Sequence, residues 1–370
     1  MRGYHSRAGL STPIITVLDR KGKVLADEQR AVIRYTVQGG AGANIIFAAG
    51  TTGEWNRMDN ARRQSVIRIA VEECERLSRS AAPIEAWAGV TAPTVAETVA
   101  NLEFALEAGA DAAVIAPLSI ADADDPVAFV TQTIGEVFER RARTLPIFLY
   151  DNADIAAPGH PAYLSAGDLR RMARLSYVHG IKVTASKEVL ASYARPPSYF
   201  KLGGGFAIYP GNAYLIFDLF KPADSITGRM RDYWSRYTTN RLIPHGAFAG
   251  ASNVLPREWQ RSWQVCCNGD SELMARYEPV MQSFRVAGEF IRNGELYKPT
   301  VACLKAALAD LGVISSDAIA PGTPELSAAE RREFLRRFRD IRRRAAVTLE
   351  PEWLSGWAER PLAMRTPVNG

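Results

Sequence analysis

The most constraining feature of the chain is a recurring alternation of short apolar runs with longer segments of helical character. The runs "PIITVL" (13–18), "ANIIFAA" (43–49), "PIEAWAG" (83–89), "DAAVIAP" (111–117), "LPIFLY" (145–150) and "YVHGIK" (177–182) start about thirty to forty residues apart. Each is too short for a typical helix, and several are apolar at consecutive positions, as strands buried on both faces are. Between them lie "NARRQSVIRIAVEECERLS" (60–78) and "TVAETVANLEFALEAG" (94–109), the second opening at a threonine and stopping at Gly109, which are helix start and stop signals. This is the spacing of βα units and a parallel sheet. With "GFAIYPG" (205–211) and "HGAFAG" (245–250) as a seventh and an eighth run, the pattern predicts a closed (β/α)8 TIM barrel, an α/β fold, with a C-terminal helical extension. A doubly wound open sheet is the competing reading, but no G-x-G-x-x-G follows the first strand. The expected divisions are a barrel over 1–252 with an insertion near 221–245, a wholly helical extension over 253–345, and a Pro- and Trp-containing tail over 346–370.

Composition narrows the function classes. A chain of 370 residues, 47% hydrophobic and 23% charged, has the make-up of a water-soluble domain with a large core. No stretch reaches the roughly 20 apolar residues of a membrane span. The apolar run near the N-terminus is broken by Ser11, Thr12, Pro13 and Thr16, so no signal peptide is expected and a cytoplasmic location is. Cys74, Cys266, Cys267 and Cys303 and the histidines His5, His160, His179 and His245 show no metal-ligand spacing, so reduced structural thiols and no metal are expected. Much of the +5 net charge sits in "RREFLRRFRDIRRR" (331–344). Phe334, Leu335, Phe338 and Ile341 recur there at helical spacing, which predicts an amphipathic helix rather than a nucleic-acid-binding stripe.

In a barrel of this kind the chemistry sits at the C-terminal ends of the strands. The second run leads into Gly50, Thr51, Thr52, Gly53 and Glu54. Glycines let the backbone turn tightly beside a ligand, and threonines present hydroxyls and amides to a carboxylate or phosphate. The fifth run ends in Tyr150, followed by Asp151, Asn152, Ala153 and Asp154. A phenol at a barrel mouth needs a hydrogen-bond partner and can carry protons. The sixth run ends in Lys182. A lysine there either pairs with a carboxylate such as Asp151 or Glu54, or acts as an amine whose pKa burial lowers. Together the three supply a nucleophile, a proton carrier and an anion cradle, the parts needed to form an imine with a 2-keto acid. No cofactor is expected beyond that covalent lysine imine.

The chain resembles the dihydrodipicolinate synthase and N-acetylneuraminate lyase family of class I aldolases. The matching landmarks are "GTTGE" (50–54), "AGVTAPTVAETVANLEFALEAGADAAVIAPL" (88–118), "LYDN" (149–152), "GIKVTAS" (180–186) and "CLKAALADLGVI" (303–314), collinear from roughly residue 10 to 345. The resemblance implies a TIM barrel assembled as a homo-oligomer, a tetramer or dimer. It also implies Lys182 as the Schiff-base lysine, Tyr150 as the proton-relaying phenol and Thr51 as its orienting partner. Thr52 would bind the carboxylate of pyruvate, Gly211 would open the loop after strand seven, and Thr184 would contact substrate.

Departures from the family pattern bear on the substrate. Dihydrodipicolinate synthases carry Y-N-x-P-x-R-T after the tyrosine, and this chain has "YDNADIA", with Ile155 in the arginine's place. The relay tyrosine after the strand-four proline is replaced by Leu118, Ser119 and Ile120, and the sugar-binding Asp-Glu pair of neuraminate lyases by Asn212, Ala213 and Tyr214. The expected activity is therefore an aldolase or lyase acting on pyruvate or a longer hydroxylated 2-keto acid, with an aldehyde acceptor held by Asp151, Asn152, Asp154, Thr184 and Asn212. A dehydratase of a deoxy-keto sugar acid, 4-hydroxy-tetrahydrodipicolinate synthase itself, and a catalytically silent barrel with a binding role are the alternatives. Partners are expected to be small molecules and further copies of the chain, with neither nucleic acid nor membrane among them.

Overall fold

Eight segments pair as parallel strands in the computed structural model of the chain, which describes residues 4–79, 82–193, 205–221 and 244–356. They are β1 (Gly9–Pro13), β2 (Ile45–Ala48), β3 (Glu85–Gly89), β4 (Ala112–Ile115), β5 (Ile147–Asn152), β6 (Val178–Thr184), β7 (Ala207–Pro210) and β8 (Gly246–Phe248). Their order is β7-β6-β5-β4-β3-β2-β1-β8. The His245 N–H donates to the Ile208 carbonyl at 2.9 Å, which brings β7 and β8 together and closes the ring. Helices α1 (Ala26–Val37), α2 (Asn60–Ser78), α3 (Val95–Ala108), α4 (126–141, with a π turn at Phe129–Thr133), α5 (Ala166–Ala173), α6 (Lys187–Ser192) and α7 (Leu215–Phe220) follow the strands. Several start where the side chain of Asp59, Thr94, Ser165 or Ser186 accepts an N–H from the first turn, a bond worth about 1 kcal/mol at each cap.

Because successive strand residues face opposite ways, the barrel has two cores. Aliphatic side chains on the outer face pack under the helices. The inner face holds Phe47, Trp87, Phe148, Tyr150, Tyr209 and Phe248, with Trp87 stacked on Phe148 at 3.9 Å and edge-on to Tyr209 at 5.5 Å. The N-terminal residues plug the barrel's lower end. Tyr4 packs edge-on against Phe148 and donates to Glu85, and the Tyr209 hydroxyl donates to the Arg7 carbonyl at 2.6 Å.

Three strands differ from the sequence expectation, among them β5, which runs on to Asn152 rather than ending at Tyr150. The first lies at Gly9–Pro13 rather than 13–18. Ile14, Ile15, Val17 and Leu18 are buried as their apolarity predicts, but in a loop, where the Ile15 and Val17 amides donate to side-chain oxygens of Asn253 (3.1 Å) and Gln29 (2.8 Å). The sixth strand runs on to Thr184, so Lys182 sits within it rather than at its end.

After β8 come α8 (Pro256–Asn268), α9 (Ser271–Ala287), α10 (Thr300–Asp310) and α11 (Ala328–Thr348). This part is not wholly helical: β9 (Phe290–Arg292) and β10 (Glu295–Tyr297) form an antiparallel hairpin. Its turn is Asn293-Gly294, with φ of 53° and 83°, the dipeptide that tight hairpins favour. On α11, Phe334, Leu335, Phe338 and Ile341 are buried. Its arginines pair with acids: Arg336 with Glu333 and Asp340, Arg339 with Asp310, and Arg331 with Asp317. Residues 222–243 of the stretch read as an insertion, and 357–370 of the tail, lie outside the described residues. The described start of the tail docks on the extension, with Glu350 bonded to Arg261 and Tyr277 and Ser355 to Glu258. No helix among the described residues is long and apolar enough to cross a membrane.

Candidate active site

Register places the site. Tyr150 on β5 is the neighbour of Lys182 on β6, which is the neighbour of Tyr209 on β7; two positions on, Asn152 is the neighbour of Thr184. Residues paired across parallel strands share a face, so all of these project into the barrel. Lys182 is 4% exposed. Its Nζ lies 3.7 Å from the centre of the Tyr150 ring, 5.1 Å from that of Phe248 and 5.2 Å from that of Phe47. No carboxylate of the described residues pairs with it. Burial pushes the pKa of the amine down, with the neighbouring phenol partly opposing the shift. An aromatic surround thus holds an amine with a raised neutral fraction.

The Tyr150 hydroxyl is the hub of the polar contacts. It lies 3.2 Å from Thr51 Oγ1, accepts from Asn152 Nδ2 at 3.1 Å and from Thr184 Oγ1 at 3.5 Å. Burial alone would raise the pKa of this phenol; the Lys182 ammonium and the Thr184 and Thr51 hydroxyls outweigh it and hold the phenol below its usual range. Lysine and tyrosine are thereby both held below their ordinary ranges while in direct contact, which suits a pair that exchanges a proton.

Thr51, Thr52 and Gly53 form one turn of helix after β2, and the leading amides of such a turn have no partner within it. Gly50 and Gly53 shape the turn rather than touch the cavity. A Cβ on Gly50 would lie 2.4 Å from the Phe47 ring, and one on Gly53 2.9 Å from the Ile14 carbonyl. Glu54 follows with φ of 61°, in the left-handed region that few non-glycine residues enter. It is held there on all sides, accepting from Lys305 Nζ (2.5 Å), the Ala320 amide (2.8 Å) and the Thr323 hydroxyl (2.6 Å). Lys305 on α10 is fully buried and also donates to the Ala318 carbonyl. The C-terminal extension therefore clamps the threonine turn. Sequence reasoning missed this role of Lys305, whose only signal is a lone charge in the apolar stretch "VACLKAALA" (301–309).

Asp151 is not where the sequence placed it. The alternation that turns Tyr150 and Asn152 inward turns Asp151 outward. There it accepts from the Tyr193 hydroxyl at 2.5 Å and the Leu164 amide at 2.7 Å, and burial raises its pKa. It ties the chain after β6 to β5 and does not line the cavity. Glu54 and Asp151, the two carboxylates named from sequence as alternative partners of Lys182, are both committed elsewhere.

A cavity of about 690 Å³ opens above Lys182. Thr51, Thr52, Tyr150, Asn152, Lys182 and Thr184 line its floor, and Gly211, Asn212 and Asp154 its side. Gly211 must be glycine, because a Cβ would fall 2.0 Å from Thr184 Oγ1. Among the described residues no three His, Cys, Asp or Glu side chains cluster as a metal site.

Comparison with known proteins follows the same lines. Residues 6–120 match the model of the Dihydrodipicolinate synthetase family. An uncharacterized DapA-like lyase of Halobacterium salinarum, found in two strains, is 27% identical over 209 residues, which is 55% of this chain. The match spans 62% of the length of those relatives. Dihydrodipicolinate synthase from Bacteroides thetaiotaomicron superposes with a TM-score of 0.71 at 19% identity, covering 91% of this chain and 99% of its own. The 4-hydroxy-tetrahydrodipicolinate synthase of Methylacidiphilum fumariolicum gives 0.69 at 15% identity, covering 94% and 100%. YagE, a prophage protein of Escherichia coli K12 solved in complex with pyruvate, gives 0.67 at 18% identity, covering 90% and 99%. At such identities the superpositions show the fold, a (β/α)8 barrel with a C-terminal extension, and the likeness to the dihydrodipicolinate synthetase family in sequence is carried by residues 6–120.

Proposed function

We propose that the protein is a Schiff-base-forming lyase or aldolase that acts on pyruvate or a longer hydroxylated 2-keto acid. The observation that carries this reading is the state of Lys182: buried, without a carboxylate partner among the described residues, and packed on the ring of a phenol that three hydrogen-bonding side chains surround.

In the reaction, neutral Lys182 attacks the C2 carbonyl. The attacking nitrogen gives up one proton as the carbonyl oxygen takes one, leaving a neutral carbinolamine, and a second proton on that oxygen lets it leave as water, forming the protonated imine. Tyr150 supplies and recovers these protons through its contacts with Thr51 and Thr184. Amides and hydroxyls at Thr51 and Thr52 receive the substrate carboxylate and fix the reacting carbon, a positioning effect worth up to about 7–11 kcal/mol in well-oriented systems. The imine draws electrons from the bond to C3. Losing a C3 proton, or cleaving the C3–C4 bond with the aldehyde as leaving group, gives the enamine. The pyruvate found in YagE agrees with this substrate class.

Enamine formation makes its own test. In D2O the protein should exchange the methyl protons of pyruvate for deuterium, followed by proton NMR, and Lys182→Ala should abolish the exchange. Folded wild-type protein that leaves the methyl signal unchanged would contradict the reading.

A further inference from the structure

The cavity above Lys182 does not end at the barrel mouth. Its far wall belongs to the C-terminal extension, where Phe284, Arg285, Glu289, Lys298 and Phe334 line it. A three-carbon keto acid would leave most of the 690 Å³ empty, whereas pockets of about 300–1,000 Å³ suit larger ligands. The far wall carries a charge imbalance. Glu289 Oε1 meets both Lys298 Nζ at 2.9 Å and Arg285 Nη1 at 3.3 Å, so two cations share one carboxylate. The Arg285 Nε is fixed by Gln282 at 3.0 Å. Tyr214 lines the same cavity, its ring edge-on to Trp259 at 5.0 Å. Its hydroxyl has no hydrogen-bond partner among the described residues, and Arg285 and Glu289 lie close enough to act on it.

Resting on the imine reading above, we propose that Arg285 and Lys298, with the Tyr214 hydroxyl, bind a second anionic group, a carboxylate or a phosphate, at the end of the substrate remote from its keto carbon. The C-terminal extension would then determine specificity, while the barrel holds the reacting end. Charge-assisted bonds from a guanidinium and an ammonium suit such a group. Both cations are about half exposed, so their pull should weaken as salt rises.

The test compares matched probes. In the carboxylate arm, borohydride trapping is titrated with 2-oxoadipate and with 2-oxohexanoate, which has the same chain length without the second carboxylate. In the phosphate arm, glyceraldehyde 3-phosphate and glyceraldehyde compete as partners for pyruvate. The wild-type protein should prefer the anionic probe of one arm by about tenfold at low salt, and the preferred arm names the group. The double variant Arg285→Gln, Lys298→Gln should lose that preference and keep its half-saturation for pyruvate. Equal use of the paired probes in both arms, with pyruvate trapped normally, would overturn this inference alone; so would a preference that survives in the double variant. Failure to trap pyruvate at all would instead overturn the imine reading.

Discussion

Lys305 donates to Glu54 across 2.5 Å with both side chains sealed from solvent, joining the last third of the chain to the turn that carries Thr51 and Thr52. Removing one partner of such a pair strands the other charge in the interior, which typically costs about 3–5 kcal/mol. Lys305→Met should therefore lower the unfolding free energy by that order, measured by urea titration. The double variant Lys305→Met, Glu54→Gln should recover part of the loss, because no bare charge remains. An unchanged midpoint in the single variant would mean that the pair contributes nothing to stability.

Tyr150→Phe keeps the ring under Lys182 and removes the hydroxyl that Thr51, Asn152 and Thr184 surround. Turnover should fall by about 10²–10⁴, the usual worth of a positioned acid–base group. The amount of pyruvate trapped at long times should stay near the wild-type level, because the amine itself is intact. Loss of trapping with no slowing of exchange would assign the hydroxyl a different role.

Burial lowers the Lys182 pKa from 10.5 and the neighbouring phenol raises it in part. The rate of imine formation should rise with pH as the amine loses its proton and level off with a midpoint below 10.5. In Tyr150→Phe the opposing effect is gone, so the midpoint should move lower still. The same shift affects stability. The unfolded chain binds the lysine proton more tightly than the folded one, so this group's contribution destabilises the fold at low pH and fades as pH rises towards 10.5. A rate midpoint at or above that of free lysine would contradict the geometry around the amine.

Gly211→Ala puts a methyl group 2.0 Å from Thr184 Oγ1, and the threonine must leave the Tyr150 hydroxyl to make room. Overpacking of this kind costs about 1–3 kcal/mol, read as a lower melting temperature, and KM should rise with it. Adding Thr184→Ala should relieve part of the stability loss without restoring KM. If Gly211→Ala is silent in both measurements, the loop after β7 is looser than its packing indicates.

The barrel could be read from the spacing of apolar runs, because parallel strands buried on both faces leave a signal that survives small errors in their ends. Those errors mattered at the site. Ile14 to Leu18 look like a strand because burial demands apolarity, yet Asn253 and Gln29 satisfy their backbone from a distance in sequence that no local pattern records. Ending the fifth run at Tyr150 hid the two further residues of β5, and with them the alternation that sends Asp151 outward and Asn152 inward. Asn293-Gly294 carries a hairpin signal of its own, but it lies in a stretch whose dominant pattern is helical, so a wholly helical reading passes over the hairpin. The partnership of Glu54 with Lys305 joins residues 251 positions apart, and only folding reveals it.

The claim on which the rest depends is that Lys182 is the amine that captures the substrate. Reduction with borohydride in the presence of pyruvate, followed by peptide mass mapping, tests it directly. The account predicts one reduced pyruvate adduct, on the peptide containing Lys182, and none on Lys187 or Lys305. Folded protein that gives no adduct, or an adduct on another lysine with Lys182 unmodified, would contradict it.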